Sequence, residues 1–116
     1  MLKEKCVACR RDSPEVTEQE IKKLCSEVPE WRLTGLGGIK RIERSFKFRN
    51  FAEALKFATL LGAVSESEGH HPRLIVEWGN VGVEWWTHKI KGLHRNDFIM
   101  AAKSDEIYDN VSRIEG

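Results

Sequence analysis

Alternating apolar and polar residues on either side of Gly79–Asn80 constrain the fold more than any other feature of the sequence. The alternation runs over Leu74–Trp78 before this turn and over Val81–His88 after it. Successive side chains of a strand point to opposite faces of a sheet, so the pattern predicts an antiparallel hairpin. The residues of the second strand that are expected to face the core are Val81, Val83 and Trp85.

An earlier hairpin and three helices complete the predicted fold. Strands are expected over Trp31–Thr34 and Ile39–Phe48, joined by a turn at Gly35–Gly38. A last helix is expected to begin at residue 95 or 96 and to run to 112. The order α-β-β-α-β-β-α predicts an α+β fold, in which a four-stranded antiparallel sheet has three helices packed on one face.

Capping residues mark where the first two helices begin. Thr17–Glu20 has the S/T-x-x-E form of a capping box, and Asn50 precedes Glu53 at the same spacing. Gly69 is expected to end the second helix, because glycine adopts a positive φ without steric cost. The apolar stripe predicted for that helix comprises Phe51, Leu55, Ala58, Leu61 and Gly62.

The length of 116 residues fits a single domain over residues 15–116, preceded by a polar N-terminal arm over residues 1–14. The net charge is +1 and the charges are interspersed, so no nucleic-acid or membrane partner is expected.

The sequence shows no recognisable leader, and no apolar span approaches the length of roughly 20 residues that a membrane helix requires. The chain has three cysteines, an odd number. Together with the lack of a recognisable leader, this number predicts a cytoplasmic protein with free thiols. Cys6 and Cys9 form a C-x-x-C pair without further nearby ligands, so no metal site is predicted.

Three of the four histidines are expected to lie close together. His70 and His71 precede Pro72 where the second helix gives way to a strand, and His88 closes the last strand. Adjacent residues of extended chain point to opposite sides, so His70 and His71 do not suit one metal ion. Imidazole has an unperturbed pKa of about 6.5, so one histidine can donate a proton while another accepts one. The group therefore predicts proton-transfer chemistry.

Acidic and aromatic residues accompany the histidines. Glu66 lies in the last turn of its helix, where the dipole disfavours a carboxylate, which indicates a further interaction. Asp97 lies in the first turn of the last helix, where helix capping and a functional role both explain it. Trp86 shares a strand face with His88 and either belongs to the core or lines a pocket for a flat ring. His94, three residues before Asp97, is predicted to be a structural N-cap.

The spacing of these residues resembles the motif of the pterin-4a-carbinolamine dehydratase family. The motif reads Glu66-x-x-x-His70-His71-Pro72, followed by Trp78, Thr87-His88 and Asp97. The run from Trp85 to Ala102 and the Cys6-x-x-Cys9 arm are similar to the bacterial branch of that family.

The resemblance implies a lyase that dehydrates a 4a-hydroxytetrahydropterin to a quinonoid dihydropterin and needs no cofactor. It implies catalytic roles for His70, His71 and His88. The residues expected to bind or support the substrate are Glu66, Pro72, Trp78, Trp86 and Asp97. We expect His70 and His88 to form the acid/base pair and His71 mainly to hold the pterin, with Glu66 or Asp97 orienting an imidazole.

The resemblance also implies partners and alternatives. A homodimer or homotetramer is expected, together with a functional link to phenylalanine hydroxylase through recycling of its pterin. Two other functions stay open at this point. One is a role in molybdopterin metabolism, and the other is a dimerisation or transcription-cofactor module.

Overall fold

The computed structural model describes residues 15–35 and 38–115, with side chains as far as residue 111. In chain order the elements are α1 (Glu18–Glu27), β1 (Arg32–Thr34), β2 (Arg41–Lys47), α2 (Phe51–Glu68), β3 (Arg73–Glu77), β4 (Asn80–Trp85) and α3 (Arg95–Glu115). The predicted element order is confirmed. None of the described helices is both long and apolar enough to cross a membrane. The predicted N-terminal arm, with Cys6 and Cys9, lies outside the described residues.

The four strands form one antiparallel sheet in the order β1-β2-β4-β3. Both predicted hairpins are present, because β1 pairs with β2 and β3 pairs with β4. The hairpins join through β2 and β4, where Ile42 lies opposite Trp85. β1 and β3 are therefore the edge strands of the sheet.

The helices pack on one face of the sheet, as predicted, and the core lies between the two layers. Its largest inaccessible side chains are Trp85, Phe46, Phe57 and Phe98. Val81 and Val83 face the same core, which confirms the orientation predicted for β4. Complete burial of a large apolar side chain contributes roughly 1.5–3 kcal/mol, so these residues dominate the stability of the fold.

The opposite face of the sheet carries a row of paired charges. Arg73, Glu84, Glu43 and Arg32 are successive neighbours across the four strands. Glu84 pairs with Arg73 at 3.2 Å, and Glu43 pairs with Arg32 at 2.8 Å. The two outer arginines offset the repulsion between the glutamates that lie opposite each other. This face is therefore polar, in contrast to the face that meets the helices.

The N-terminal caps predicted for α1 and α2 are both formed. Glu20 N–H donates to Thr17 Oγ1 at 3.2 Å and Thr17 N–H donates to Glu20 Oε1 at 2.9 Å, which completes the capping box. Asn50 Oδ1 accepts a hydrogen bond from Glu53 N–H at 2.9 Å. Such caps satisfy N–H groups that have no partner within the helix, and each stabilises the helix by about 1 kcal/mol.

The apolar stripe predicted for α2 is partly wrong. Phe51 and Leu55 were assigned to the buried side, but they are 46% and 48% exposed. The buried residues of α2 are Ala54, Phe57, Ala58, Leu61 and Ser65. Apolar residues occupy most of the circumference of this helix, so their spacing alone does not select the side that meets the sheet. Phe51 and Leu55, one turn apart, thus form an exposed apolar patch.

Candidate active site

His70 is held in place by the way α2 ends. Gly69 adopts a left-handed conformation with φ +66°, as predicted for the residue that ends the helix. His70 N–H donates to the Ser65 carbonyl at 3.1 Å, and Gly69 N–H donates to the Glu66 carbonyl at 3.2 Å. These are the two hydrogen bonds of a Schellman motif. They fix the backbone of His70, whose side chain turns into the protein and leaves the residue only 7% exposed.

The His70 ring is restrained in two directions. Its Nε2 lies 2.6 Å from Asp97 Oδ1. An ionised carboxylate only accepts hydrogen bonds, so Nε2 carries the proton and Nδ1 is the nitrogen left for a bound molecule. The ring also stacks on Trp85, with centroids 5.7 Å apart and planes 9° from parallel. The orientation of the imidazole is thus set before any ligand binds.

The Asp97 carboxylate is fully buried and accepts three hydrogen bonds. Besides the contact with His70, its Oδ2 accepts from Thr87 Oγ1 at 2.8 Å and from His94 N–H at 2.9 Å. The contact with His94 is that of the N3 carboxylate in a capping box. The sequence left open whether Asp97 caps the helix or serves the site. In the structure one carboxylate oxygen caps α3 and the other binds His70.

His94 is the N-cap of α3, as predicted. Its Nδ1 accepts a hydrogen bond from Asn96 N–H at 3.0 Å. Burial lowers the pKa of His94 below its usual value, the charge of Asp97 acts in the opposite direction, and His70 lowers this pKa further. The net direction agrees with the hydrogen bond, because Nδ1 accepts only when it is unprotonated.

His71, unlike His70, is exposed to solvent. Its Nε2 lies 3.3 Å from Glu66 Oε2, and the two side chains are 59% and 81% exposed. A pair so exposed is weak. Pro72 follows, half-buried, before β3 begins. The two adjacent imidazoles therefore differ in burial and contact different carboxylates.

β4 is shorter than predicted and does not include His88. β4 ends at Trp85, although β2 extends one residue further, to Arg41. Thr87 pairs with Gly92 instead, through hydrogen bonds of 2.8 Å and 3.4 Å between their backbones. His88 follows Thr87 in the turn that this pair closes, and its carbonyl accepts from Lys91 N–H at 3.3 Å. The His88 side chain is exposed.

Trp86 contacts both a cation and the His88 ring. The ring centroids of Trp86 and His88 are 4.5 Å apart, and the Arg41 guanidinium lies 4.5 Å from the centre of the Trp86 ring. The expected proximity of Trp86 to His88 is therefore observed. Asp97 connects this part of the site to His70, because Thr87, whose hydroxyl binds Asp97, immediately precedes His88.

Trp78 is separated from the histidines within one chain. His71 and Pro72 lie at the start of β3, whereas Trp78 follows its end and is 74% exposed. The five residues of β3 span about 16 Å at the usual rise of a strand. Contacts link His70 to Asp97 and Asp97 to Thr87, the residue before His88, whereas Trp78 lies at the far end of β3.

A hollow of about 530 Å³ lies elsewhere, on the polar outer face of the sheet, and none of the three histidines lines it. Its lining includes Arg32, Glu43, Arg73 and Glu84. Since these side chains are largely engaged with one another, we place the candidate site at His70 and its buried partner Asp97 rather than at this hollow. Among the described residues, no three His, Cys, Asp or Glu side chains are grouped so as to hold a metal ion.

Thr87 and Arg41 were not assigned a role from the sequence. Thr87 had a signal, because it occupies a core-facing position of the alternation, where a hydroxyl needs a buried partner. Arg41 had none. Its contact with Trp86 depends on the register between β2 and β4, which places Ile42 opposite Trp85.

Comparisons with known proteins agree with the motif. The family model described as pterin 4 alpha carbinolamine dehydratase matches residues 14–107. The chain belongs to the pterin-4-alpha-carbinolamine dehydratase family. A relative from Saccharophagus degradans, provisionally named as such a dehydratase, is 50% identical over 109 residues, or 94% of this chain and 96% of the relative. One from Syntrophotalea carbinolica with the same provisional name is 51% identical over 104 residues, or 90% and 93% of the two chains.

Solved structures show the same fold as this member of the dehydratase family. The crystal structure of a transcriptional coactivator/pterin dehydratase from Brucella melitensis has a TM-score of 0.75 and 29% identity, and the match covers 82% of this chain and 99% of that one. A pterin dehydratase-like RuBisCO assembly factor of the alpha-carboxysome has a TM-score of 0.58 at 22% identity, with coverage of 68% and 92%. The second similarity concerns the fold alone. The resemblance to bacterial pterin-4a-carbinolamine dehydratases is thus confirmed.

Proposed function

We propose that this protein is a lyase that dehydrates a 4a-hydroxytetrahydropterin to a quinonoid dihydropterin. In this reaction an acid protonates the 4a-hydroxyl, the carbon–oxygen bond breaks and water leaves. A base removes a proton from a ring nitrogen, and the freed electron pair completes a carbon–nitrogen double bond. The products are the quinonoid dihydropterin and water, and proton transfer suffices for every step.

The observation that carries the proposal is the buried hydrogen bond between His70 and Asp97 beside two exposed imidazoles. Asp97 keeps the proton of His70 on Nε2, so Nδ1 is prepared to accept a proton. His88 lies in the turn that follows Thr87 and exposes its ring to solvent, where it can donate a proton to the leaving hydroxyl. This pair follows the logic of general acid–base catalysis, in which two oriented groups move two protons.

His71 and Trp86 are assigned to substrate binding. The exposed ring of His71, paired only loosely with Glu66, can turn towards a ligand at little cost. Trp86 is half-buried beside His88 and offers an aromatic surface for a flat pterin ring. Glu66, Pro72 and Asp97 support the neighbouring imidazoles. Within one chain Trp78 lies at the far end of β3 from His71. A role for Trp78 therefore requires that a second copy of the chain bring its own Trp78 to the site.

We further propose that the chain forms a homodimer or a homotetramer. β3 is an edge strand and carries Ile75, which is 43% exposed, and the unpaired backbone groups of such an edge favour pairing with a second copy. The patch of Phe51 and Leu55 on α2 is a second apolar surface. Two such surfaces on one chain suit closed symmetry, with a dimer through one and a tetramer through both.

The biological setting follows from the reaction. A dehydratase of this kind restores the pterin used by aromatic amino-acid hydroxylases, so we predict a functional link to phenylalanine hydroxylase. A cytoplasmic location is a separate prediction. The Brucella relative's name adds transcriptional coactivation, a function that the sequence also left open, and the role in molybdopterin metabolism is a third hypothesis. Pterin binding without turnover would favour one of these alternatives over the lyase.

The lyase is tested by following the absorbance of freshly generated 4a-hydroxytetrahydrobiopterin. We expect the purified protein to accelerate loss of the carbinolamine above the spontaneous rate, equally with and without a chelator, because imidazoles move both protons. The matched control is the double variant His70→Ala/His88→Ala, checked for folding by circular dichroism. If the folded wild-type protein is no faster than this variant, the proposed function is wrong. If chelation abolishes the activity, the mechanism is wrong.

A further inference from the structure

Thr87 is connected to both of the histidines that we assign to proton transfer. Its hydroxyl donates to Asp97 Oδ2 at 2.8 Å, and the other oxygen of the same carboxylate binds His70. Its backbone pairs with Gly92 and closes the turn that begins with His88. The residue is only 2% exposed, so it is oriented by the protein and has little contact with solvent.

The side chain of Thr87 limits how the Asp97 carboxylate can rotate. Oδ2 accepts from two directions, the Thr87 hydroxyl and the His94 N–H. With Oδ2 so occupied, Oδ1 is directed at His70 Nε2. Hydrogen-bonded partners one step removed from a functional imidazole commonly fix its orientation and its tautomer. Without the hydroxyl, one backbone N–H would hold Oδ2 alone, and the carboxylate could turn away from His70.

We propose that Thr87 is a positioning residue for both histidines. Its hydroxyl fixes the orientation of His70 through Asp97, and its backbone closes the turn that carries His88. This inference rests on the proposed function, in which these two histidines form the acid/base pair. Thr87 itself touches neither the substrate nor the reacting atoms.

The test compares Thr87→Val, which removes the hydroxyl at nearly constant volume, with Thr87→Ser, which keeps it. We expect Thr87→Val to lower kcat by about 10- to 100-fold with little change in KM, by analogy with the loss of other hydrogen bonds that orient a functional histidine. Thr87→Ser should recover most of the activity. Thr59→Val is the matched control, because that hydroxyl bonds only within α2 and the variant should keep full kcat.

A second measurement does not depend on turnover. The proton between His70 Nε2 and Asp97 lies in a short, charge-assisted hydrogen bond and should give a far-downfield proton resonance. We expect this resonance in the wild-type protein and in Thr87→Ser, and its loss or an upfield shift in Thr87→Val. If the wild-type protein lacks dehydratase activity but shows this pattern, the proposed function fails while the positioning role stands.

Two results would overturn the positioning role. One is a Thr87→Val variant with kcat within twofold of wild type and an unchanged resonance. The other is a Thr87→Ser variant as impaired as Thr87→Val, which would mean that the buried methyl group matters and the hydroxyl does not. If Thr87→Val does not fold, Thr87→Ala takes its place, since it removes the hydroxyl without placing a methyl group against the carboxylate.

Discussion

The Nδ1 atom of His94 accepts the backbone N–H of Asn96 at 3.0 Å, so the N-cap of α3 depends on a neutral imidazole. Serine, threonine, aspartate and asparagine, the usual caps, accept this bond at neutral pH without titrating. A histidine in this position loses its acceptor when Nδ1 is protonated. The start of α3, which also places Asp97, is therefore sensitive to acid.

The first prediction is that His94 makes the protein less stable at acid pH. Burial holds the folded-state pKa of His94 below its unfolded value of 6.5. Because this pKa is lowered, the unfolded state binds more protons, and the contribution of His94 to stability is fully present above pH 6.5. It is lost as the pH falls from 6.5 through the folded-state pKa.

Urea unfolding between pH 5 and pH 8 measures this effect when wild type is compared with His94→Ser. Serine keeps an acceptor for Asn96 N–H, so at pH 8 we expect stability within about 1 kcal/mol of wild type. The variant should lose less stability on acidification. Identical slopes of unfolding free energy against pH in the two proteins would contradict the prediction.

The second prediction compares the two carboxylates that contact histidines. Asp97→Asn places an amide where three donors converge, so His70 must either lose its partner or move its proton to Nδ1. We expect kcat to fall by about 10² to 10⁴-fold, since the wrong tautomer removes the proton acceptor. Glu66→Gln is the control at the exposed pair, which is weak. It should change stability by less than about 1 kcal/mol and should lower kcat less than Asp97→Asn does. Equal loss of kcat in both variants would mean that burial of the Asp97 pair does not matter.

The positions of His70 and His94 were predictable because local rules determine them. Gly69 ends α2 through its left-handed backbone, and the spacing of His94 to Asp97 is that of a cap and its N3 partner. In contrast, the turn after β4 is closed by the pairing of Thr87 with Gly92, which alternation along one strand does not contain. His88 was therefore assigned to a strand when it lies in a turn.

The buried side of α2 was hard to predict for a related reason. Phe51 and Leu55 are as apolar as the residues that enter the core, and only the position of the sheet decides which side is covered. The contacts of Thr87 with Asp97 and of Arg41 with Trp86 likewise join residues from different elements. Sequence patterns identified the residue types of the site, and tertiary packing supplied the connections between them.

The third prediction uses the exposed patch of α2. Lysine at both positions, in Phe51→Lys/Leu55→Lys, would place two charges on any surface that this patch buries, and burial of unpaired charge is strongly unfavourable. We expect the variant to show a smaller oligomer than wild type by light scattering, with an unchanged circular dichroism spectrum. Leu33→Lys is the control, because Leu33 is similarly exposed at 47% but lies on β1. An oligomer of wild-type size in the double variant would exclude α2 from the interface.

The fourth prediction concerns the half-buried Asp105 and its two hydrogen-bond donors, none of which is a histidine. Asp105 accepts from Trp31 Nε1 at 2.9 Å and from Arg44 Nη1 at 2.6 Å, and so ties α3 to β2 and to the residue before β1. Asp105→Ala leaves both donors without this acceptor, so we expect a loss of roughly 1 to 3 kcal/mol in the free energy of unfolding. The value of kcat at a temperature well below Tm should not change. A drop in kcat without loss of stability would show that this network reaches the site.

The last prediction separates the roles of the three motif histidines. His70→Ala and His88→Ala should each lower kcat by about 10² to 10⁴-fold, the usual contribution of a general acid or base. His71 is exposed and only loosely paired, so its loss should weaken binding of the pterin in the ground and transition states alike. His71→Ala should then raise KM more than it lowers kcat, because uniform binding affects KM alone. Steady-state kinetics of the three variants, with melting temperatures as a control for folding, make the comparison. Equal losses of kcat in all three would mean that His71 also transfers a proton, and that its weak contact with Glu66 gives way to a tighter arrangement when the pterin binds.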